Sequence, residues 1–211
     1  MKLTSKMTAI FIFACAISTM SVCAQTETGI FEGYGDVGNP SLTGNFKYDA
    51  STKTYTLSGG GINIWDKTDQ FFFAWKKVSG DFSMTTKVAF EGKGVNAHRK
   101  IGIMMRDALT GESRYADVAI HGDGLTSLQY RSETGGTTRE EVGPAGGNYI
   151  TLEKTGNKIR MRTATNVLPE AVTAEIEMDF PGDFYVGIYI CSHEGNVLET
   201  AVFSDVSFQK R

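Results

Sequence analysis

The sequence has 211 residues, with 21 basic and 24 acidic side chains for a net charge of −3 and a mean hydropathy of −0.18. This balance gives no electrostatic reason to expect nucleic acid or an anionic membrane surface as a partner. The three cysteines do not suggest a disulfide framework, because two of them lie in the first 24 residues. We expect the third, Cys191, to be buried and unpaired within an apolar run.

The amino terminus has the pattern of a secretory signal peptide. Two lysines precede an apolar run at 7–17, and Val22 and Ala24 stand three and one positions before a cleavage site. The run is shorter than the ~20 residues that span a bilayer. We therefore predict a signal peptide at 1–24, no membrane span, and export to the periplasm or the cell exterior. Lipid attachment at Cys23 is the alternative.

The rest of the chain has the pattern of a β-sandwich. Residues 25–35 are predicted to be a flexible segment, and residues 36–211 show almost no helical periodicity. Short alternating segments rich in Val, Ile, Thr, Phe and Tyr lie between clusters of Gly, Asn, Asp and Ser. This pattern predicts one all-β domain, a two-sheet antiparallel β-sandwich. Its predicted strands are 46–48, 55–57, 70–76, 81–90, 100–107, 114–121, 125–131, 137–142, 149–154, 158–163, 172–178, 184–191 and 201–208.

Five stretches suggest a family: FFFAWKKVSGDF at 71–82, HRKIGIMMRD at 98–107, HGDGLTSLQYR at 121–131, YVGIYICSH at 185–193 and AVFSDVSF at 201–208. Together they resemble the DUF1349-like exported bacterial domains of the concanavalin A-like lectin/glucanase superfamily. The resemblance runs from about residue 36 to 208 and implies a concanavalin A-like jelly roll. Related domains occur fused to TolB-like β-propellers, and the superfamily includes lectins, glycoside-binding modules and glycosidases.

Three predicted strands, 100–107, 114–121 and 125–131, alternate between apolar and polar residues. Short connections make them neighbours in a meander, so each kind of residue collects on one face of a sheet. We expect burial between the sheets for Ile101, Ile103, Met105, Val118, Ile120 and Leu128. The opposite face carries Arg106, Tyr115, Asp117, His121, Gln129 and Arg131.

This polar face is the candidate ligand-binding surface. Paired hydrogen-bond donors, an amide and an aromatic ring on a concave sheet suit sugar hydroxyls or a carboxylate. The alternative is a set of solvated cross-strand pairs, such as Arg106 with Asp117. Both interpretations place the side chains in solvent, so replacing Arg106 and Arg131 by Ala is expected to leave the melting temperature nearly unchanged.

The two tryptophans have different expected roles. Trp65 follows a glycine break and precedes Asp66, so we expect it at the rim of the site, where its ring would stack on a sugar. Trp75 shares a strand face with Phe71 and Phe73. Three large aromatic rings exposed together would form a sticky patch, so this set is expected to be core.

Metal chemistry has little support in the sequence. The three histidines, His98, His121 and His193, lack a recognisable ligand spacing, so no transition-metal site and no cofactor are expected. Asp123, in an Asp-Gly pair between two predicted strands, is a weak calcium candidate through its carboxylate oxygens. The alternative for Asp123 is a simple turn.

Catalysis would need a pair of carboxylates flanking a glycosidic bond. The best candidates are Glu175, Glu177 and Asp179, whose spacing by two puts them on one strand face. Their order differs from that of laminarinase-like enzymes, and apolar residues alternate with them as on a solvated edge strand. The leading prediction is therefore a non-catalytic module that binds carbohydrate or another envelope polymer. The alternatives are a glycoside hydrolase or lyase, and a structural or interaction component of a TolB-like envelope assembly with a protein partner.

Overall fold

Residues 27–211, the part of the chain that the computed structural model describes, form sixteen β-strands and no helix. The predicted signal peptide lies outside the described residues. Within them, no helix has the length and apolarity needed to cross a bilayer. The strands are β1 (Gly33–Val37), β2 (Asn45–Asp49), β3 (Thr54–Gly61), β4 (Ile64–Trp65), β5 (Thr68–Asp69), β6 (Phe71–Ser79), β7 (Phe82–Glu91), β8 (Lys100–Arg106), β9 (Tyr115–His121), β10 (Thr126–Arg131), β11 (Arg139–Val142), β12 (Tyr149–Thr155), β13 (Lys158–Ala164), β14 (Ala174–Glu177), β15 (Asp183–Cys191) and β16 (Glu194–Lys210).

The strands build two seven-stranded antiparallel sheets and a small hairpin. Sheet A has the order β1-β6-β15-β8-β9-β10-β11, and sheet B has the order β14-β13-β12-β7-β16-β3-β2. β4 and β5 pair with each other as the hairpin. This architecture confirms the predicted two-sheet antiparallel sandwich.

The main core lies between the two sheets and follows from the alternation of apolar residues along the strands. In β8 and β9 the inward positions are aliphatic, and they pack against rings and aliphatic side chains from sheet B. All six residues predicted to be buried here are at most 7% exposed: Ile101, Ile103, Met105, Val118, Ile120 and Leu128.

Sheet A also buries its outer face, the face turned away from sheet B. β8 and β9 are buried at every residue. The cover consists of the β4–β5 hairpin and the 107–113 loop, which are joined by a hydrogen bond from the Asp69 N–H to the Gly111 carbonyl at 3.0 Å. Phe71 and Phe73 are buried in the apolar cluster beneath this cover, as predicted, whereas Trp75 is half-buried and packs against that cluster. The cluster contains Val37, Ile64, Phe71, Phe73, Met104, Tyr115, Tyr189 and Cys191.

The sandwich begins earlier in the chain than the sequence analysis predicts. β1 starts at Gly33, inside the predicted flexible segment 25–35, and pairs with β6. Phe31 is 3% exposed and packs edge-on against Tyr55, with ring centroids 5.0 Å apart. This corrects the predicted domain start at residue 36. Isolated apolar residues among glycines give too weak an alternation to indicate a strand.

Two expectations away from the polar face are confirmed. Glu175 lies on β14, the edge strand of sheet B, where it forms ion pairs with Lys158 at 3.0 Å and Arg160 at 2.5 Å. This is the solvated edge strand predicted for the acidic run. Cys191 is fully buried and unpaired, and burial raises the pKa of its thiol to about 11.

Candidate ligand-binding site

The polar residues of β8, β9 and β10 share one face of sheet A, as the alternation predicts. The strands are neighbours, and the register pairs Arg106 with Tyr115, Tyr115 with Arg131, and Asp117 with Gln129. Directly paired residues in a ladder project from the same face. The sixth member of the set, His121, pairs with Lys100. The predicted phase of all three strands is therefore correct.

The predicted solvent exposure of this face is wrong, which removes the basis for expecting an unchanged melting temperature when Arg106 and Arg131 are replaced by Ala. Arg106, Tyr115, Asp117 and Arg131 are fully buried, Gln129 is 1% exposed and His121 is 5% exposed. The face is buried because the β4–β5 hairpin and the 107–113 loop cover it. The alternation of residues within one strand does not indicate whether another segment covers that strand.

The two arginines hold the cover in place. Arg131 donates to both carboxylate oxygens of Asp69, at 2.7 and 2.8 Å, and Arg106 lies 3.5 Å from the same carboxylate. Arg131 also donates to the Gly136 carbonyl, and Arg106 to the Ala108 carbonyl. Burial raises the pKa of Asp69, and the hydrogen bond from Arg131 opposes that rise. Both guanidinium groups are occupied within the protein, which corrects the predicted pair of Arg106 with Asp117 and the predicted role of the arginines in ligand binding.

One end of the polar face stays open as a pocket of about 270 Å³. Lys100 of β8, His121 of β9, Gln129 of β10 and Glu140 of β11 contribute from successive strands, and half-buried Trp65 contributes from the hairpin. The expected rim position of Trp65 therefore agrees with the structure. The other lining residues are Asn63, His98, Leu125 and His193.

Lys100 is a buried cation at this pocket. It is 3% exposed, and its Nζ donates to Asn63 Oδ1 at 2.7 Å and to the Ile64 carbonyl at 3.0 Å. Nζ also lies 5.7 Å from the centre of the Trp65 ring. Burial lowers the pKa of Lys100. None of the ion pairs among the described residues includes it.

Several buried polar atoms at the pocket have no hydrogen-bond partner. They include Nδ1 of His121 and Oε1 of Gln129, both in lining residues, and beneath them both carboxylate oxygens of Asp117. On the other side of its ring, His121 Nε2 lies 3.5 Å from Gln129 Nε2. More than 90% of buried polar groups in folded proteins are hydrogen-bonded to protein or to ordered water, so this group of exceptions marks the pocket as the candidate site.

Asp117 has the most unusual ionisation in this group. Desolvation raises the pKa of its carboxyl to about 7. The Tyr189 hydroxyl and the Gln129 backbone N–H lie near enough to oppose the rise, but neither reaches hydrogen-bond geometry with the carboxylate. The carboxyl is fully buried, so it acts on the pocket through its charge and does not contact a molecule bound there.

The fold brings together three histidines that are far apart in the sequence. The His98 ring lies 5.5 Å from that of His193 and 6.2 Å from that of His121, measured between centroids. Burial lowers the pKa of His121 to about 4 and also lowers that of His193. The cluster was not predictable from the spacing of the three histidines, because the rings meet only through folding. Across residues 27–211 no group of three or more His, Cys, Asp or Glu side chains is placed to hold a metal ion.

Asp123, the weak calcium candidate, has a local structural role. Its Oδ1 accepts a hydrogen bond from the Leu125 N–H at 3.0 Å, within the turn between β9 and β10. This geometry is the side-chain turn typical of Asp in a tight connection. The simple-turn interpretation therefore agrees with the structure.

Much of the pocket lining was not predicted from the sequence. Lys100 could have been assigned to the polar face, because it lies in phase with Arg106 on the same strand. Asn63, Glu140 and His193 carried no sequence signal, since each comes from a separate connection or short strand that only the fold places at the pocket.

No family model matches the chain, and no curated protein matches it in sequence. Solved structures do match. A functionally unknown protein from Saccharomyces cerevisiae has a TM-score of 0.62 at 17% identity, over 84% of this chain and 96% of that chain. The carbohydrate-binding module CBM66 from Bacillus subtilis has a TM-score of 0.52 at 14% identity, over 86% and 98% of the two chains. A Bacillus licheniformis β-glucanase has a TM-score of 0.50 at 12% identity, over 84% and 92%.

These likenesses show the fold, a jelly-roll sandwich of the concanavalin A-like kind. At such identities they do not transfer an activity. The finer resemblance to DUF1349-like domains, and to their fusions with TolB-like propellers, stays a prediction.

Proposed function

We propose that the protein is an exported, non-catalytic carbohydrate-binding module that holds a glycan in the pocket between Trp65 and Glu140. The observation that carries this proposal is the open pocket with an aromatic wall and buried polar atoms that have no partner. A fold shared with a carbohydrate-binding module and a glucanase supports the same class of ligand.

The lining suits a sugar for two physical reasons. A half-buried indole offers an apolar face to the C–H side of a sugar ring while its edge stays near water. Gln129 Oε1 is an acceptor without a donor, His121 Nδ1 has no partner, and Glu140 offers further acceptor oxygens. Sugar hydroxyls are donors as well as acceptors, so they can satisfy these atoms.

The number and position of the carboxyl groups at the pocket suit binding without hydrolysis of a glycosidic bond. A glycosidase needs two carboxyl groups on either side of the bond it cleaves, about 5–5.5 Å or about 6.5–9.5 Å apart. Among the described residues, Glu140 is the one carboxylate that lines the pocket, and Asp117 is buried beneath it. A hydrolase or lyase is the competing function, and release of reducing ends would reveal it.

Affinity electrophoresis of the chain from Gln25 against a panel of neutral and acidic polysaccharides tests the proposal. Trp65→Ala is expected to weaken binding of the retained polysaccharide at least ten-fold. Tyr34→Ala is the matched control, because this 49% exposed ring lies on β1 at the opposite edge of sheet A. Absence of binding to every polysaccharide, or unchanged binding by Trp65→Ala, would contradict the proposal.

A further inference from the structure

Lys100 is the starting point for identifying the class of glycan. An ammonium group has three N–H donors, and two of those of Lys100 go to neutral oxygens, one of Asn63 and one of Ile64. Buried charges in proteins are normally paired with an opposite charge. Lys100 has no carboxylate partner among the described residues, and its side chain lines the open pocket.

The charges around Lys100 leave a positive excess. The buried outer face of sheet A holds three cations, Lys100, Arg106 and Arg131. Asp69 pairs directly with both guanidinium groups, so its single negative charge is already outweighed by two cations before Lys100 is counted. The remaining buried carboxyl, Asp117, has a pKa of about 7 and is only partly ionised at neutral pH. An anion at the pocket would complete this set of charges.

Glu140, the acidic residue of the pocket, acts on Lys100 through its charge but forms no ion pair with it among the described residues. β11 carries Glu140 and is separated from β8 by β9 and β10. Strands lie about 4.8 Å apart, so about 14 Å separate the two backbones. Glu140 Oε2 also accepts from Gln129 Nε2 at 3.4 Å. The pocket therefore offers Lys100 to a negative group on one side and Gln129 and Glu140 to hydroxyl groups on the other.

We propose that the pocket selects acidic glycans, in which a sugar carboxylate binds the Lys100 ammonium between Trp65 and the histidines. This inference rests on the proposed carbohydrate-binding function and adds the chemical class of the sugar, a uronate. The three neutral contacts of Lys100, from Asn63, Ile64 and Trp65, hold the ammonium at the pocket and leave its charge for the ligand.

The experiment compares each uronate polymer with its own neutral form. Polygalacturonate, alginate and glucuronoxylan are tested beside the same polymers after chemical reduction of their carboxyl groups to alcohols. Levan and mixed-linkage β-glucan serve as neutral probes. At least one uronate polymer is expected to bind, and carboxyl reduction is expected to weaken that binding at least ten-fold.

Lys100→Gln locates the effect within the pocket. This variant is expected to lose at least ten-fold in affinity for the bound uronate polymer, with little further loss when the polymer is reduced. Such non-additivity is the signature of two groups in direct contact. Lys47→Gln, at an exposed position on β2, is the control and is expected to bind as the unaltered protein does. Melting curves verify that both variants fold, and the comparison of native with reduced polymer stands without any variant.

The outcomes separate the two proposals. Binding to levan or β-glucan without binding to any uronate polymer overturns the acidic-glycan inference and leaves the carbohydrate-binding function standing. Equal binding of native and carboxyl-reduced polymer also overturns the acidic-glycan inference alone. So does an equal loss of affinity for the native and the reduced polymer in Lys100→Gln. Absence of binding to all five probes overturns both proposals.

Discussion

Asp117 is a carboxyl group in the middle of sheet A with no hydrogen-bond donor for either oxygen. Its pKa is raised from 3.8 to about 7 because burial removes the water that would solvate its charge. A carboxyl group with a raised pKa in the folded state favours folding most when it is protonated. Its contribution to stability is therefore fully present below pH ~4 and is lost as the pH rises through about 7.

Asp117→Asn is predicted to stabilise the protein at alkaline pH, because the amide has no charge to desolvate. The melting temperature of the variant is expected to exceed that of the unaltered protein by several degrees at pH 8. The difference is expected to shrink steadily as the pH falls from 7 to 4. His121, with its lowered pKa, destabilises both proteins in acid, so its effect cancels in the difference. A difference that stays constant between pH 4 and pH 8 would contradict the raised pKa.

Arg131→Ala is predicted to destabilise the protein by about 3–5 kcal/mol, because removing one member of a buried ion pair leaves the other uncompensated. At about 2–4 °C per kcal/mol for a domain of this size, the melting temperature is expected to fall by about 10 °C. Lys77→Ala is the comparison, since the pair of Lys77 with Asp183 is more than half exposed and contributes about 0–1 kcal/mol. Similar melting temperatures for the two variants would contradict the buried network.

At the scale of elements, the β4–β5 hairpin determines how much of sheet A is open. Asp69 of β5 reaches the two buried arginines, and Ile64 of β4 packs in the second apolar cluster. Trp65 ends β4 and Asp66 begins the bend that follows, and the carbonyls of both accept from Arg131. The hairpin is therefore fixed by the Asp69 carboxylate, the Ile64 side chain and several backbone hydrogen bonds.

Asp69→Asn is predicted to loosen this hairpin, since it keeps the shape of the side chain and removes the charge that two guanidinium groups share. Amide hydrogens at 62–70 are expected to exchange faster, and Trp65 fluorescence is expected to shift to the red. Asp66→Asn is the matched control on the same hairpin. Its side chain is exposed, and its φ of 50° is one that Asn tolerates as well as Asp does. Equal exchange rates in the two variants would show that the Asp69 charge does not hold the hairpin.

The hairpin also explains what the sequence could and could not predict. Ile101, Ile103 and Met105 alternate over a whole strand, so the phase of β8 and the shared polar face were predictable. β4 and β5 have two residues each and no alternation to detect. The pairing of Asp69 with Arg131 joins residues 62 positions apart, and nothing local to either residue indicates it. The polar side chains could therefore be assigned to a face, but their burial could not be predicted.

At the scale of the whole molecule, the sandwich joins distant parts of the chain. Ser58 of β3 and Thr200 of β16 share a hydrogen bond of 2.8 Å across 142 positions, and β16 pairs with both β3 and β7. Such non-local pairing makes independent unfolding of either end unfavourable. We expect one cooperative unfolding transition for the chain from Gln25.

Cys191 offers a test of that cooperativity. It lies at the end of β15, near the centre of sheet A, and is fully buried with its pKa raised to about 11. We predict that a thiol reagent labels it only after global opening. The free energy of opening calculated from the labelling rate should then equal that from denaturant unfolding. Labelling at the rate of an exposed thiol would show a local opening of sheet A.

The triad of Asp69, Arg106 and Arg131 has an evolutionary consequence. The loss of any one member leaves an unbalanced charge inside the protein, whereas replacement of all three by apolar residues of similar volume is often neutral or stabilising. Single substitutions would therefore be selected against, and the triad would be inherited as a unit. Among related sequences, these three positions should be either all charged or all apolar, and an alignment in which they vary independently would contradict the network.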